Sequence, residues 1–309
     1  MFLAGSVGTL IVTGAIRWEY LLIASVIQGA VMPAMMPSRQ AIVPELVGRE
    51  RIMNAVALNS MVMSLSNLFV PAAAGWLIAI IGIGKTYYVI AAINIGALLF
   101  TSLVPRLHDT RTTPMNVSTI FIDLREGFIY AWSNRVIILL VCLAFFAMVL
   151  SMPIRFILPI FAKDIFFVGP AGLGVMMSIM GIGSVIGALF IAAIGGNKNR
   201  GIILVSVGLT TGWVLVAFAL ISYFYPEFWI CLFLLALIGL FQSSRMTLNN
   251  TLALENTADN YRGRVMSIFA LNFAFVPAGV LPITFATEYI GAPLALRIMA
   301  GLLIIIGGG

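Results

Sequence analysis

Ile202-Ile203-Leu204-Val205-Ser206-Val207-Gly208-Leu209-Thr210-Thr211-Gly212-Trp213-Val214-Leu215-Val216-Ala217-Phe218-Ala219-Leu220-Ile221-Ser222 runs for 21 residues without a charge, and after Tyr223-Phe224-Tyr225-Pro226-Glu227 a second, predominantly apolar run covers residues 228–248. A helix of about 20 residues, rising roughly 1.5 Å at each, crosses the hydrocarbon of a bilayer. Runs of this kind recur along the whole chain. Of its 309 residues 61% are hydrophobic and 9% charged, where a soluble domain averages roughly 45–50% and 25%. A soluble protein of this length buries about 75% of its unfolded surface and hydrates the rest. The solvent these residues fit is lipid, so the expected class is an all-α integral membrane protein.

Eight complete spans are expected near residues 20–41, 53–81, 86–104, 136–161, 171–194, 202–222, 228–248 and 265–287. Two further apolar stretches, Phe2 to Ile16 and Gly291 to Gly309, read as spans cut short. A signal peptide is the weaker reading of the first, because it lacks a basic leading region and Arg17-Trp18-Glu19 feeds directly into another span. Alternating the connections places Arg39, Arg49, Arg51, Arg106, Arg111, Arg125, Arg135, Lys198, Arg200, Arg245, Arg262 and Arg264 on one side, and only Arg17, Lys85, Arg155 and Lys163 on the other. Short cytoplasmic loops are enriched in Lys and Arg, so the first set is expected in the cytoplasm.

The connections are short except residues 105–135, which divide the chain into a first bundle, 1–104, and a second, 136–309. Within this linker Asp123-Leu124-Arg125-Glu126-Gly127-Phe128-Ile129-Tyr130-Ala131-Trp132 has an aromatic side and charges elsewhere, the pattern of a helix lying at the interface. The net charge of +6 comes from basic residues scattered between spans, not clustered with aromatics, so nucleic acid is not an expected partner. Cys142 and Cys231 each sit inside an apolar run and read as small hydrophobes. His108 stands beside Asp109 and Arg111 without a second histidine or a cysteine; no metal, cofactor or catalytic set is expected.

Two segments echo each other. Ser38-Arg39-Gln40-Ala41-Ile42-Val43-Pro44-Glu45 leads to Arg49-Glu50-Arg51-Ile52-Met53-Asn54-Ala55, and Asn249-Asn250-Thr251-Leu252 leads to Arg262-Gly263-Arg264-Val265-Met266-Ser267. Each ends one span, crosses a polar stretch with arginines and begins another, as in transporters built from parallel repeats. With these residues the chain resembles the major facilitator superfamily, and within it the enterobactin-exporter-like and macrolide-efflux-like branch. Its Gln-Ala, Leu-Pro-Asp/Glu-Leu-Val and Asn-Ala elements are similar to Gln40-Ala41, Val43-Pro44-Glu45-Leu46-Val47 and Asn54-Ala55, and its Arg-Gly-Arg-Val-Met-Ser run to Arg262–Ser267.

The resemblance implies a fold of two helical bundles with twelve spans, about ten of them visible here as family spans three to twelve, the first and last truncated. It implies export of a drug-like or siderophore-like compound by exchange against protons, in the bacterial inner membrane, by a monomer. The family's glycine-proline antiporter motif in span five falls on Ala57, Ser66, Val70, Pro71, Ala74 and Gly75, with Val70 departing from it. Small residues let helices approach and proline bends them, so both readings, antiporter seal and plain packing, stay open. Gly183 and Gly187, with Gly174, repeat the spacing in span eight, where close helix contact is the favoured reading. The cytoplasmic loop motif comprises Arg39, Arg51, Arg262, Gly263 and Arg264.

Polar side chains at membrane depth are costly and invite functional readings. Gln28, Asn59, Asn67, Asn94, Gln242 and Asn272 fall inside spans; Gln28, Asn59 and Asn272 are the candidates for the substrate path, with Phe145 and Phe241 among the aromatics lining it. Arg155 is expected to snorkel to the outer face and Arg297 to pair with Glu288. The expected partners are thus the bilayer, a small-molecule substrate and protons. Uptake, lipid handling, or a non-transporting membrane partner remain the alternative functions. On the resemblance one half holds only four spans, too few to close around a site. The 309-residue chain alone is therefore expected not to transport; robust flux in vesicles holding this chain and no other would refute that.

Overall fold

The computed structural model describes residues 2–28, 52–102, 117–193, 199–258 and 261–308. Among them every regular element is helical. No water inside a bilayer can satisfy a backbone N–H or C=O, and the helix satisfies its own. The elements are α1 (Phe2–Val12), α2 (residues 18–28), α3 (Ile52–Ser102), α4 (Val117–Ser133), α5 (Arg135–Ser151), α6 (Ile154–Ile160), a π-turn Phe161–Ile165, α7 (Gly169–Ala193), α8 (Arg200–Phe224), α9 (Phe228–Glu255), α10 (Arg262–Leu271), a 3₁₀ turn Asn272–Phe275, α11 (Val276–Ile290) and α12 (Ala292–Gly308). Among the described residues six stretches are long and apolar enough to cross a membrane: Leu65–Ser102, Arg135–Ile165, Gly169–Ala193, Arg200–Phe224, Phe228–Glu255 and Arg262–Ile290. They form two compact units, Met1–Thr112 and Thr113–Gly309.

Two expectations change. The spans expected at 53–81 and 86–104 are joined by one residue rather than a loop: Gly82 leaves helical space at φ 80°, ψ 162° in the middle of α3. Only glycine adopts that backbone without strain. The span expected to end at 248 continues to Glu255, so Arg245 lies inside α9 and not in a connection. Removing it from the twelve basic residues leaves the charge bias intact. The linker helix α4 packs against α10 in the second unit.

In the first unit α1 lies along α3. Gly8 faces Tyr87 and the Gly84 carbonyl, and Tyr88 Oη donates to Thr9 Oγ1 at 3.0 Å.

The second unit is organised around α7 and α9, its most extensive helix pair. A Cβ on Gly183 would overlap the Ala236 carbonyl, one on Gly187 the Leu240 carbonyl, and one on Gly239 the Met180 carbonyl. Across this seam Ser244 Oγ donates to Gly187 O at 3.0 Å and Ser184 Oγ to Gly239 O at 3.3 Å. Lipid is as apolar as leucine, so close packing and hydrogen bonds drive association where burial cannot. Gly212 admits Ile304 of α12 to α8, and Gly279 admits the Val149 carbonyl of α5 to α11. Phe161, Met176, Phe218, Leu235, Ile238 and Ala300 fill the core between these helices.

The two units share one pattern. A helix carrying Pro71 runs to Gly82 at φ 80°, ψ 162°, and a helix carrying Pro282 runs to Gly291 at φ 79°, ψ 154°, each followed at once by another helix. The echo in the arginine segments therefore extends to backbone geometry.

Replacing Gly239 by Ala forces α7 from α9 and is expected to destabilise by about 1–3 kcal/mol. Gly301→Ala, with nothing within 4 Å of a Cβ there, is expected to be neutral or to stabilise by up to about 1 kcal/mol through helix propensity. Thermal unfolding in detergent separates the two; equal midpoints would show that the seam is not close-packed.

Candidate functional site

Polar groups at membrane depth in the second unit concentrate on one side of α9. Gln242, Arg245 and Asn249 follow at spacings of three and four, which on a helix puts them on one face. All three reach α5. Gln242 Nε2 donates to the Ser151 carbonyl at 2.9 Å, Arg245 Nη2 to Ser151 Oγ at 3.3 Å, and Asn249 Nδ2 to the Leu140 carbonyl at 3.3 Å. Ser151 is the last residue of α5, where the chain bends through Met152 and Pro153 into α6. Its own hydroxyl donates to Ala147 O at 2.7 Å. The Arg155 N–H donates to Met152 O at 3.2 Å instead of to Ser151 O, which leaves the Ser151 carbonyl for Gln242.

The satisfaction of these groups is incomplete. Arg245 Nε and Asn249 Oδ1 are enclosed and have no hydrogen-bond partner. Arg245 was assigned from sequence to a cytoplasmic connection. The overlooked signal was a cation at three- and four-residue spacing from two amides, which marks a face rather than a loop.

The path candidates separate. Asn272 is buried in the 3₁₀ turn before α11, with Nδ2 unpartnered. In the same turn Phe275 lies edge-on to Phe145, ring centres 5.3 Å apart, and Phe145 is edge-on to Phe146. Phe241 is half-buried beside Gln242. Gln28 is exposed, and Asn59 lies on α3 with Ala57. Of the glycine-proline positions Ser66 is exposed, Pro71 and Ala74 half-buried and Gly75 buried. Arg39 and Arg51 lie outside the described residues. Within the second unit the structure brings Phe145 and Asn272 to neighbouring elements.

Two arginines depart from expectation. Arg297 stacks over the rings of Tyr223 and Phe224, at 4.8 and 5.8 Å, instead of pairing with Glu288; it sits on α12 opposite the aromatic end of α8. Arg155 is half-buried with Nε enclosed and unpartnered, so its guanidinium does not lie wholly free at the surface. Cys231 is buried and Cys142 exposed.

At the other end of the unit the arginine motif clasps α4. Arg264 pairs with Glu126 at 2.8 Å and lies over Tyr261, whose ring stacks on Tyr130 at 4.2 Å; Tyr130 Oη accepts from Ala258 N. Gly127 lets α4 rest on the Arg264 backbone, while Gly263 faces open space. Arg262 Nε donates to Leu254 O, and Arg200 pairs with Glu255. Recesses of about 320 and 330 Å³ open at this end, one walled by Arg200, Thr247 and Glu255, the other by Arg135, Leu139 and Asn256. Neither includes Asn272, Phe145, Phe241 or Arg245.

The exposed Arg264–Glu126 pair contributes about 1 kcal/mol or less; the Tyr261 ring, stacked and under a cation, contributes about 1–2 kcal/mol. Tyr261→Ala is therefore expected to speed tryptic cleavage within α4 more than Glu126→Gln does. The reverse order would assign the clasp to charge.

The sequence profile of the Major Facilitator Superfamily matches residues 1–307. The Staphyloferrin A transporter of Staphylococcus aureus (strain NCTC 8325 / PS 47) is 23% identical over 295 residues, 92% of this chain and 70% of its own length. The multidrug efflux pump Tap of Mycolicibacterium fortuitum is 26% identical over 257 residues, 81% of this chain and 61% of its own.

Proposed function

The chain belongs to the major facilitator superfamily, and on that premise we propose that it is a secondary active transporter exporting a small hydrophobic or amphipathic compound against protons. The observation that supports this best is the repeated unit: arginine segment, proline-bearing helix, glycine near φ 80°, following helix. Two such units working about a midplane site are the construction that alternating access requires. Export as the direction rests on likeness to the efflux pump.

Within this reading residues 1–104 and 136–309 are the two bundles and 105–135 the connection, in a bacterial cell membrane, acting as a monomer. Gln28, Asn59, Asn272, Phe145 and Phe241 are proposed to line the path. Asn272 is the strongest of them, because its buried Nδ2 has no protein partner and can donate to a ligand. Ala57, Ser66, Pro71, Ala74 and Gly75 make a bendable, small-sided helix suited to a moving seal. Gly183 and Gly187 hold the seam of α7 and α9 fixed. Arg39, Arg51, Arg262, Gly263 and Arg264 form the cytoplasmic loop motif, whose Arg264 couples α10 to the linker helix.

Inverted vesicles carrying the longest in-frame form of the protein, not the 309-residue chain alone, and energised with a proton gradient, test this. Substrate-dependent collapse of the gradient is expected from at least one of a panel of lipophilic cations, macrolides and catecholates, with Asn272→Leu weakening it about tenfold, as for a lost hydrogen bond to a buried polar group. Silence across the panel, with the protein present and folded, would overturn proton-coupled export and favour uptake or lipid handling.

A further inference from the structure

We infer that Arg245, with Gln242 and Ser151, forms an oxyanion subsite at membrane depth that takes a carboxylate or phosphate group. The inference deepens the transport reading by naming the charge of the ligand, and rests on that reading only for calling the anion cargo.

Depth comes from helix lengths. Ser151 lies 16 residues beyond Arg135, and Arg245 ten residues before Glu255. Those are about 24 and 15 Å along the two helices, and side chains on a helix point back toward its N-terminus. The Arg245 guanidinium, directed toward the start of α9, thus meets Ser151 well inside the roughly 30 Å hydrocarbon slab.

A cation there calls for a counter-ion, and among the described residues of this chain no carboxylate pairs with it. Of its eleven Asp and Glu residues, Asp164, Glu255 and Glu288 stand at the ends of candidate spans, and Glu227 caps α9. Asp123 and Glu126 belong to α4, and Glu19 opens α2. Glu45, Glu50, Asp109 and Asp259 fall in the polar connections of the sequence. The guanidinium instead has one neutral contact, Ser151 Oγ, and a buried Nε without a partner. A guanidinium offers five donors in a fork that fits an oxyanion in two-point fashion. Arg155, in the first turn of α6 just beyond Ser151, is a second half-buried arginine with Nε unpartnered. A buried guanidinium with an open donor repels lipophilic cations and selects an amphipathic anion.

The protein in nanodiscs of neutral phosphatidylcholine provides a test that needs no transport. Citrate and inorganic phosphate are the anionic probes, tetraphenylphosphonium the cationic one, with the thermal midpoint as readout. A saturable rise with citrate or phosphate and none with the cation is expected. Arg245→Gln is expected to weaken the response about tenfold or more, the range for losing a charge-assisted hydrogen bond, while its ligand-free midpoint is equal to or above wild type because an uncompensated charge has gone. If Arg245→Gln does not fold, Arg245→Lys decides. It keeps the charge but not the fork, so binding should fall several-fold, and binding equal to wild type would overturn the subsite. Nanodiscs containing phosphatidylglycerol separate the sources. A rise without added probe, lost in the Arg245 variant and blocking the citrate effect, assigns the anion to a lipid headgroup; an undiminished citrate response assigns it to a soluble ligand. Wild type and Arg245→Gln responding alike, or neither responding to any anion, overturns the inference. An anion response with silent vesicles would leave the subsite standing and remove only proton-coupled export.

Discussion

A bilayer offers the backbone no hydrogen-bond partner, and nearly everything in this protein follows from that. Helices are the form the chain can take, and apolar side chains face outward as readily as inward: Trp229, Phe233, Phe285 and Tyr289 are all more than half exposed. Because lipid competes equally for apolar groups, helices must be held by what lipid cannot supply. In the second unit that is backbone proximity at Gly183, Gly187 and Gly239, with serine hydroxyls bridging to carbonyls across the seam.

The polar stripe of α9 obeys the same constraint from the other side. The donors of Ser151, Gln242 and Asn249 engage carbonyls, while Asn249 Oδ1 and Arg245 Nε stay without a partner. Arg245 is the charged member whose demand is left open, and the group that answers a cation at membrane depth is an anion. The aromatic cluster of Phe145, Phe146 and Phe275 beside Asn272 offers complementary apolar surface in the same unit.

The ends of the second unit follow different rules. Where water is available, charge pairs and ring stacks replace glycine seams: Arg264 with Glu126, Tyr130 on Tyr261, Arg200 with Glu255. These contacts are individually weak, and they tie the linker helix to the arginine motif of α10. In this unit Arg264 of the motif therefore has a structural task, holding α10 to α4.

The sequence by itself determined the helical class, the family, and the positions of the candidate spans among the described residues to within several residues, because apolar runs of span length and the Arg-Gly-Arg-Val-Met-Ser run are local properties of the chain. It singled out Asn272 as one amide among several in apolar runs; that its Nδ2 is buried without a partner is tertiary. It did not reveal Gly82 as a one-residue joint, because a positive φ is imposed by the helices on either side. Nor did it place Arg245, whose polar neighbours Ser243, Ser244 and Asn250 make it look like the start of a loop. Only tertiary structure decided that α9 continues to Glu255 and that its polar face meets Ser151, a residue 94 positions away. Which side of a helix finds a partner depends on where other helices pack, and that information is spread over the whole chain.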